Sequence, residues 1–224
     1  MLGVQTSHDV QGAPRMMNVI LGPILQSLGL GDDGVANVKT TMDDTKNNCA
    51  AGAISTSLDR LSGVFALIMT SVAIPTFPAG EEFGDVHDMD YNATDSKQQD
   101  PVQWQHASYP ANAGLQTQVG QLIQLRTMHP ALQRNDVQFF YFYPTFDAND
   151  GAWVIAYSRT NGVPLGSSGQ VIVIANMCVP LQPAPFLGKS NLWRIVVADN
   201  PVLLRIRISC LEASGKDRAV GWCL

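Results

Sequence analysis

The strongest constraint on the fold is a change of hydrophobic period near residue 135 of the 224-residue chain. Before that point apolar residues recur at helical spacing, most clearly within residues 50–72, where they stand at positions 58, 61, 64, 65, 68, 69 and 72. After it, apolar residues alternate or run continuously in short segments bounded by turn residues, which indicates strands. We therefore predict an α/β region followed by an all-β region.

Two short strands, each with a helix after it, are predicted in the first region. Residues 2–6 form the first strand, which ends at Ser7-His8-Asp9, and a helical stretch follows at 16–28. The long helix 50–72 leads into a strand at 74–79 that Gly80-Glu81-Glu82-Phe83-Gly84 closes. A polar loop then reaches a helix at 114–128, which stops at His129-Pro130 because proline disfavours helical geometry in the residue before it. The second region has strands predicted at 139–143, 153–158 and 170–175.

The balance of charged residues changes at a different position, near residue 177. Residues 1–177 hold 8 basic and 16 acidic side chains, whereas residues 178–224 hold 6 basic and 3 acidic ones together with Cys178, Cys210 and Cys223. The net charge of −5 argues against a nucleic-acid partner, which needs a basic surface to displace counterions. The change of character favours an atypical tail over 178–224, as a shifted reading frame would produce.

Neither a membrane partner nor export is predicted. The uncharged stretch 61–77 is interrupted by Pro75 and followed by Pro78, so a buried helix followed by a strand is favoured over a membrane span. The amino terminus lacks the basic and apolar regions of a secretory signal, which leaves the compartment open and favours the cytoplasm.

Three groups of residues are candidates for chemistry. His8-Asp9 follows the first strand, and the carboxyl ends of the strands carry the active site in parallel α/β barrels. Glu81 and Glu82 follow the second strand. Adjacent carboxylates on an extended chain point to opposite sides, so at most one of them faces a pocket shared with Asp9. The acidic run 85–90 has oxygen ligands at alternating positions that suit Ca²⁺, without the EF-hand spacing.

Each candidate has a structural alternative. A His-Asp dipeptide is common in loops, acidic residues such as Glu81 and Glu82 are favoured at helix amino termini, and the run 85–90 has the composition of a solvated loop. The four cysteines lack the spacing of a zinc site. No cofactor is therefore expected, with Ca²⁺ at the acidic run as the alternative.

Taken in order, these segments resemble the C-terminal part of the α-amylase family of glycoside hydrolases. Ser7-His8-Asp9 resembles the His-Asp motif at the end of that family's seventh barrel strand. Residues 60–75, with Gly80-Glu81-Glu82-Phe83-Gly84, are similar to the seventh helix and eighth strand, and residues 122–132 to the last barrel helix. The strand candidates near 154–159 and 171–176 resemble the β-sandwich that follows the barrel.

The resemblance covers residues 5–177 and implies a domain plan. Residues 1–134 would be the last two βα units of a (β/α)8 barrel, and residues 135–177 the start of a C-terminal antiparallel β-sandwich-like domain. Residues 178–224 would be the atypical tail. Because a closed barrel takes about 250 residues, the chain is expected to be a fragment of a longer enzyme.

The function implied by the resemblance is that of a retaining glycoside hydrolase or transglycosylase acting on α-1,4-linked glucans such as starch, glycogen and maltodextrins. Asp9 would be the third catalytic carboxylate, and His8 would hydrogen-bond the sugar. The nucleophile and the acid/base belong to earlier strands of the family, so the chain alone is expected to be inactive. The alternative is a non-catalytic fragment whose β-rich part, 136–177, binds or packs. Its aromatic run 139–143 suits sugar stacking, although a core strand is the favoured interpretation.

Overall fold

The computed structural model describes residues 2–4, 15–27, 48–86, 102–142, 154–164, 169–176, 192–197 and 204–207. Over these ranges the chain combines helices, one pair of parallel strands and an antiparallel sheet, which agrees with the predicted α/β region followed by an all-β region. Barrel closure, the sandwich and the boundaries at 134 and 177 remain predictions.

The helices are α1 (Met16–Ser27), α2 (Asn48–Thr70) and α3 (Pro110–Met128). The strands are β1 (Leu2–Val4), β2 (Ile74–Thr76), β3 (Gln138–Phe142), β4 (Val154–Arg159), β5 (Val171–Asn176), β6 (Leu192–Val197) and β7 (Leu204–Arg207).

Helix α2 lies between α1 and α3 and carries the predicted apolar stripe. Its Leu58, Leu61, Phe65 and Met69 are at most 4% exposed and belong to the main core. Each large apolar side chain buried in this way contributes about 1.5–3 kcal/mol. As predicted, the uncharged stretch 61–77 is the end of a helix followed by a strand. Within the described ranges, no helix combines the length and the hydropathy needed to cross a membrane.

Helix α3 begins at Pro110, four residues before the predicted start at Gly114. Proline is suited to the first position of a helix because the N–H that it lacks would have no intrahelical acceptor there. The helix ends before His129-Pro130, as predicted. The loop predicted to precede it contains a 3-10 helix over Trp104–Ser108.

The five strands β3 to β7 form one antiparallel sheet in which each strand pairs with the next along the chain. The strands predicted at 139–143, 153–158 and 170–175 are confirmed to within one residue at each end. Two more strands, β6 and β7, continue the sheet beyond β5. In the turn after β4, Asn161 and Gly162 have φ values of 52° and 75°, which suit this residue pair.

A β-bulge changes the role of the aromatic strand β3. The register shifts between Phe139, which is opposite Tyr157, and Tyr141, which is opposite Ala156. The extra residue breaks the alternation of faces, because two residues then oppose one. Phe139 and Phe140 are 52% and 43% exposed. The expectation that this run is simply a core strand is therefore wrong for these two residues.

Two arginines join the helices to the sheet at the carboxyl end of α2. Arg159, on β4, is fully buried, and Arg126 comes from the last turn of α3. Arg159 donates to the backbone carbonyls of Thr70, Ser71, Leu132, Arg134 and Asp136. Arg126 donates to those of Met69, Ser71 and Ala73. The cations thus satisfy carbonyls that a helix end leaves without intrahelical partners, and they oppose the negative end of its dipole.

Tyr157 adds a neutral contact at the same junction. Its hydroxyl lies 2.6 Å from the Thr70 hydroxyl, and burial raises the pKa of the phenol. The side chain therefore stays uncharged beside the two arginines. Together with Val171, Val173 and Ala175, it places the sheet in the same apolar core as the helices.

We expect Arg159→Met to lower the free energy of unfolding by about 3 kcal/mol or more, because it leaves five carbonyl acceptors without their donor. Urea unfolding followed by circular dichroism measures the change. The matched control is Arg134→Met, whose side chain is 57% exposed and whose ion pair with Asp136 contributes at most about 1 kcal/mol. Equal losses in the two variants would contradict the role given to Arg159.

Candidate functional site

The candidate site is the carboxyl edge of the parallel strand pair. Leu2 is opposite Ile74 and Val4 is opposite Thr76, so both strands run the same way and end at the same edge. The predicted site residues His8 and Asp9 follow β1 but lie outside the described residues. The turn that follows β2 is described and forms the visible part of this edge.

That turn is a 3-10 helix over Glu81–Phe83, flanked by two glycines with positive φ. Gly80 has φ 97° and Gly84 has φ 71°. A Cβ atom on Gly84 would lie 2.5 Å from Leu58 Cδ2, so the turn packs directly on α2. The expectation of an extended chain with Glu81 and Glu82 on opposite sides is therefore wrong, because the backbone is helical here.

Both carboxylates of the turn accept hydrogen bonds from nearby backbone. Glu81 is fully buried, and its Oε1 accepts from the Met16 N–H at 3.1 Å. Glu82 Oε2 accepts from the Gly80 N–H at 2.8 Å. Glu81 thus caps the amino terminus of α1, where a negative charge also opposes the positive end of the dipole. Glu81 therefore has the structural role given above as the alternative to a catalytic one, that of an acidic residue at a helix amino terminus. The helix that it caps is α1, which belongs to a different segment of the chain.

A buried ionic cluster holds the base of the turn. Arg15 Nη2 lies 3.4 Å from Asp85 Oδ2, and His106 Nδ1 lies 3.2 Å from Asp85 Oδ1. Arg15 Nη1 also donates to the Ala79 carbonyl at 2.6 Å, and Asp85 Oδ2 accepts from the Gln103 N–H at 3.2 Å. Arg15 is 5% exposed, and Asp85 and His106 are fully buried. We therefore assign the Asp85 carboxylate a structural role. Removing one of its partners would leave a buried charge without compensation, which destabilises a fold.

Asp85 is therefore neither part of a solvated loop nor an open Ca²⁺ ligand, contrary to both interpretations of the run 85–90. Residues 87–90 lie outside the described residues. In the parts of the chain that the structure covers, no three His, Cys, Asp or Glu side chains lie close enough to hold a metal ion together.

The residues on either side of the segment that carries His8 and Asp9 both contact β2 or the turn after it. At one end, Val4 is paired with Thr76 of β2. At the other, Arg15 is bonded to Ala79 and Asp85, which follow the same strand. The connection between Val4 and Arg15 therefore begins and ends at β2 and its turn.

Sequence reasoning missed Arg15 and His106. One signal for Arg15 was available, since it is the only charged residue between positions 10 and 31 and directly precedes an apolar run. A charged side chain in such surroundings is usually paired when the segment is buried. His106 offered no comparable signal, because its partner Asp85 is 21 residues away.

Comparisons with known proteins add a distant structural likeness. No family model matches the chain, and neither does a curated protein. One solved structure, described as a "Putative alpha Amylase" from Salmonella typhimurium, aligns with a TM-score of 0.40 and 18% identity. The alignment covers 70% of this chain and 30% of that one, so the chain spans less than a third of its length. A structural similarity at this TM-score and identity does not indicate what activity the chain has.

We expect Gly80→Ala to destabilise the chain by about 1–3 kcal/mol, because a side chain at φ 97° is strained and its Cβ would lie 2.9 Å from Arg15 Nη1. The matched control is Gly120→Ala in α3, where no atom lies within 4 Å of the added Cβ. That control should gain up to about 1 kcal/mol from helix propensity. Urea unfolding of both variants tests the prediction, and a neutral Gly80→Ala would contradict the packing of Arg15 against the turn.

Proposed function

We propose that the chain forms part of a retaining glycoside hydrolase or transglycosylase of the α-amylase type, acting on α-1,4-linked glucans. The supporting observation is the parallel register of β1 and β2. Because both strands end at the same edge, the proposal puts the His8-Asp9 motif, which follows β1, beside the Gly80–Gly84 turn. Active sites of parallel barrels are built at this edge.

In this proposal Asp9 and His8 act on the glucan directly. The Asp9 carboxylate stabilises the positive charge of the oxocarbenium-like transition state and hydrogen-bonds the sugar ring, while His8 hydrogen-bonds the same sugar. The retaining mechanism also needs a nucleophile and an acid/base about 5 Å apart, and no residue of this chain is assigned to either role. We therefore expect the chain to bind glucan without releasing reducing sugar.

The described residues have a supporting role in this proposal. Arg15 and Asp85 attach the start of α1 to the turn after β2, and Glu81 caps that helix. Because these groups are buried and paired, they resist displacement when a sugar enters the edge. Binding sites held by such supporting contacts keep their geometry better than sites on unsupported loops.

Affinity electrophoresis in gels containing amylopectin tests the proposal with the chain as it is. Wild-type chain should be retarded, and Asp9→Asn should bind about tenfold more weakly, since it removes a charged hydrogen-bond acceptor. Asp136→Asn is the control because it makes the same change of charge in an exposed ion pair with Arg134. A wild-type chain that is not retarded, or an unchanged Asp9→Asn variant, would contradict the proposal.

A second candidate function rests on the bulged strand β3. The exposed rings of Phe139 and Phe140 offer apolar faces on which sugar rings can stack. The chain would then be a non-catalytic module that binds glucan through its sheet. In the same gels, this candidate would be favoured over the first if the Phe140→Ser variant is no longer retarded while the Asp9→Asn variant is still retarded.

A further inference from the structure

A cavity of about 600 Å³ lies beside β2, and its lining does not include the Gly80–Gly84 turn. Its walls come from the end of α2, the strand β2, the last turns of α3 and the segment after α3. The lining includes the apolar side chains of Val72, Ile74, Phe77 and Ile123. It also includes the polar side chains of Arg126, Gln133 and Arg134. This volume is typical of small-molecule sites, which combine an apolar lining with a few polar groups.

The guanidinium of Arg126 is only partly used by the protein. Its Nη1 donates to the Met69 and Ser71 carbonyls, and its Nη2 donates to the Ala73 carbonyl. A guanidinium has five N–H donors, so three are engaged. Among the described residues, the Nε–H and the second Nη2–H have no acceptor. A carboxylate matches the spacing of the Nε–H and the Nη2–H beside it, so the proposal below takes that Nη2–H to be the free one.

The charge of Arg126 is also uncompensated by any acid of the described residues, because its three partners are neutral carbonyls. Burial lowers the pKa of Arg159, and the neighbouring positive charge of Arg126 lowers it further. The dipole of α2 offsets only about half a charge. Arg134 in the same lining adds a third cation, with Asp136 as its partner at 2.6 Å. Among the described residues that line the cavity, none is an aspartate or a glutamate.

We propose that this cavity binds a small monocarboxylate with an apolar body. The carboxylate accepts two hydrogen bonds from Arg126, and the body packs on Ile74, Phe77 and Ile123. A glucan does not suit this site, because many of its hydroxyl groups would face apolar lining residues without hydrogen-bond partners. The inference does not depend on the glycoside hydrolase proposal, which concerns the edge formed by the turn after β2.

The test uses three probes of one shape and different charge: 4-phenylbutyrate, 4-phenylbutyramide and 4-phenylbutylamine. Isothermal titration of the wild-type chain should show the carboxylate binding about tenfold or more tightly than the amide, because charge-assisted hydrogen bonds are stronger than neutral ones. The amine should bind most weakly. The preference for the carboxylate should shrink in Arg126→Lys, which keeps the charge but loses the paired donors. Equal affinities for the three probes, or no saturable binding, would overturn the proposal.

A second pair of variants locates the site without touching Arg126. Thr127→Trp should weaken 4-phenylbutyrate about tenfold because Thr127 lines the cavity. Thr117→Trp is the matched control, since Thr117 is exposed on the same helix and makes the same kind of hydroxyl bond to the carbonyl four residues earlier. Equal effects of the two substitutions would place the probe elsewhere and contradict the proposal. Maltoheptaose should not compete with the probe, so a failure of glucan binding leaves this result unaffected.

Discussion

The burial of Arg159 at the carboxyl end of α2 is the interaction on which the arrangement of helices and sheet depends. A guanidinium stays charged at neutral pH even when burial lowers its pKa, so its N–H groups must find acceptors inside the protein. The end of a helix supplies such acceptors, because its last carbonyls have no intrahelical donors. One residue of β4 therefore determines where the sheet meets the helical layer. Arg126 reinforces the same contact from α3.

A second buried cation has a comparable role at the other end of β2. Arg15 is paired with Asp85 and bonded to Ala79, so it attaches the start of α1 to the turn after the strand. The two arginine sites differ in their partners. Arg159 is surrounded by neutral carbonyls, whereas Arg15 has a carboxylate within 3.4 Å. This difference explains why only the Arg126 and Arg159 end retains a net positive charge, and why the anion-binding proposal belongs there.

The sequence predicted the helices and strands well because each depends on a local pattern. The stripe of α2 and the His129-Pro130 stop are signals within a few residues, and the structure confirms both. The candidate site was less predictable, since Arg15 and Ala79 are 64 positions apart and pair only once the chain has folded. The bulge in β3 was also missed. A run of aromatic residues does not indicate which of them is the extra residue of a bulge. The exposure of Phe139 and Phe140 could therefore not be predicted from the sequence.

Hydrogen exchange tests most directly the claim that the edge after β1 and β2 binds glucan. Amide exchange of the whole chain is followed by mass spectrometry with and without saturating maltoheptaose. The account predicts slower exchange in two peptides at once, one covering residues 5–14 and one covering residues 77–86, with residues 138–142 unchanged. Protection confined to 138–142, or no protection at all, would contradict it.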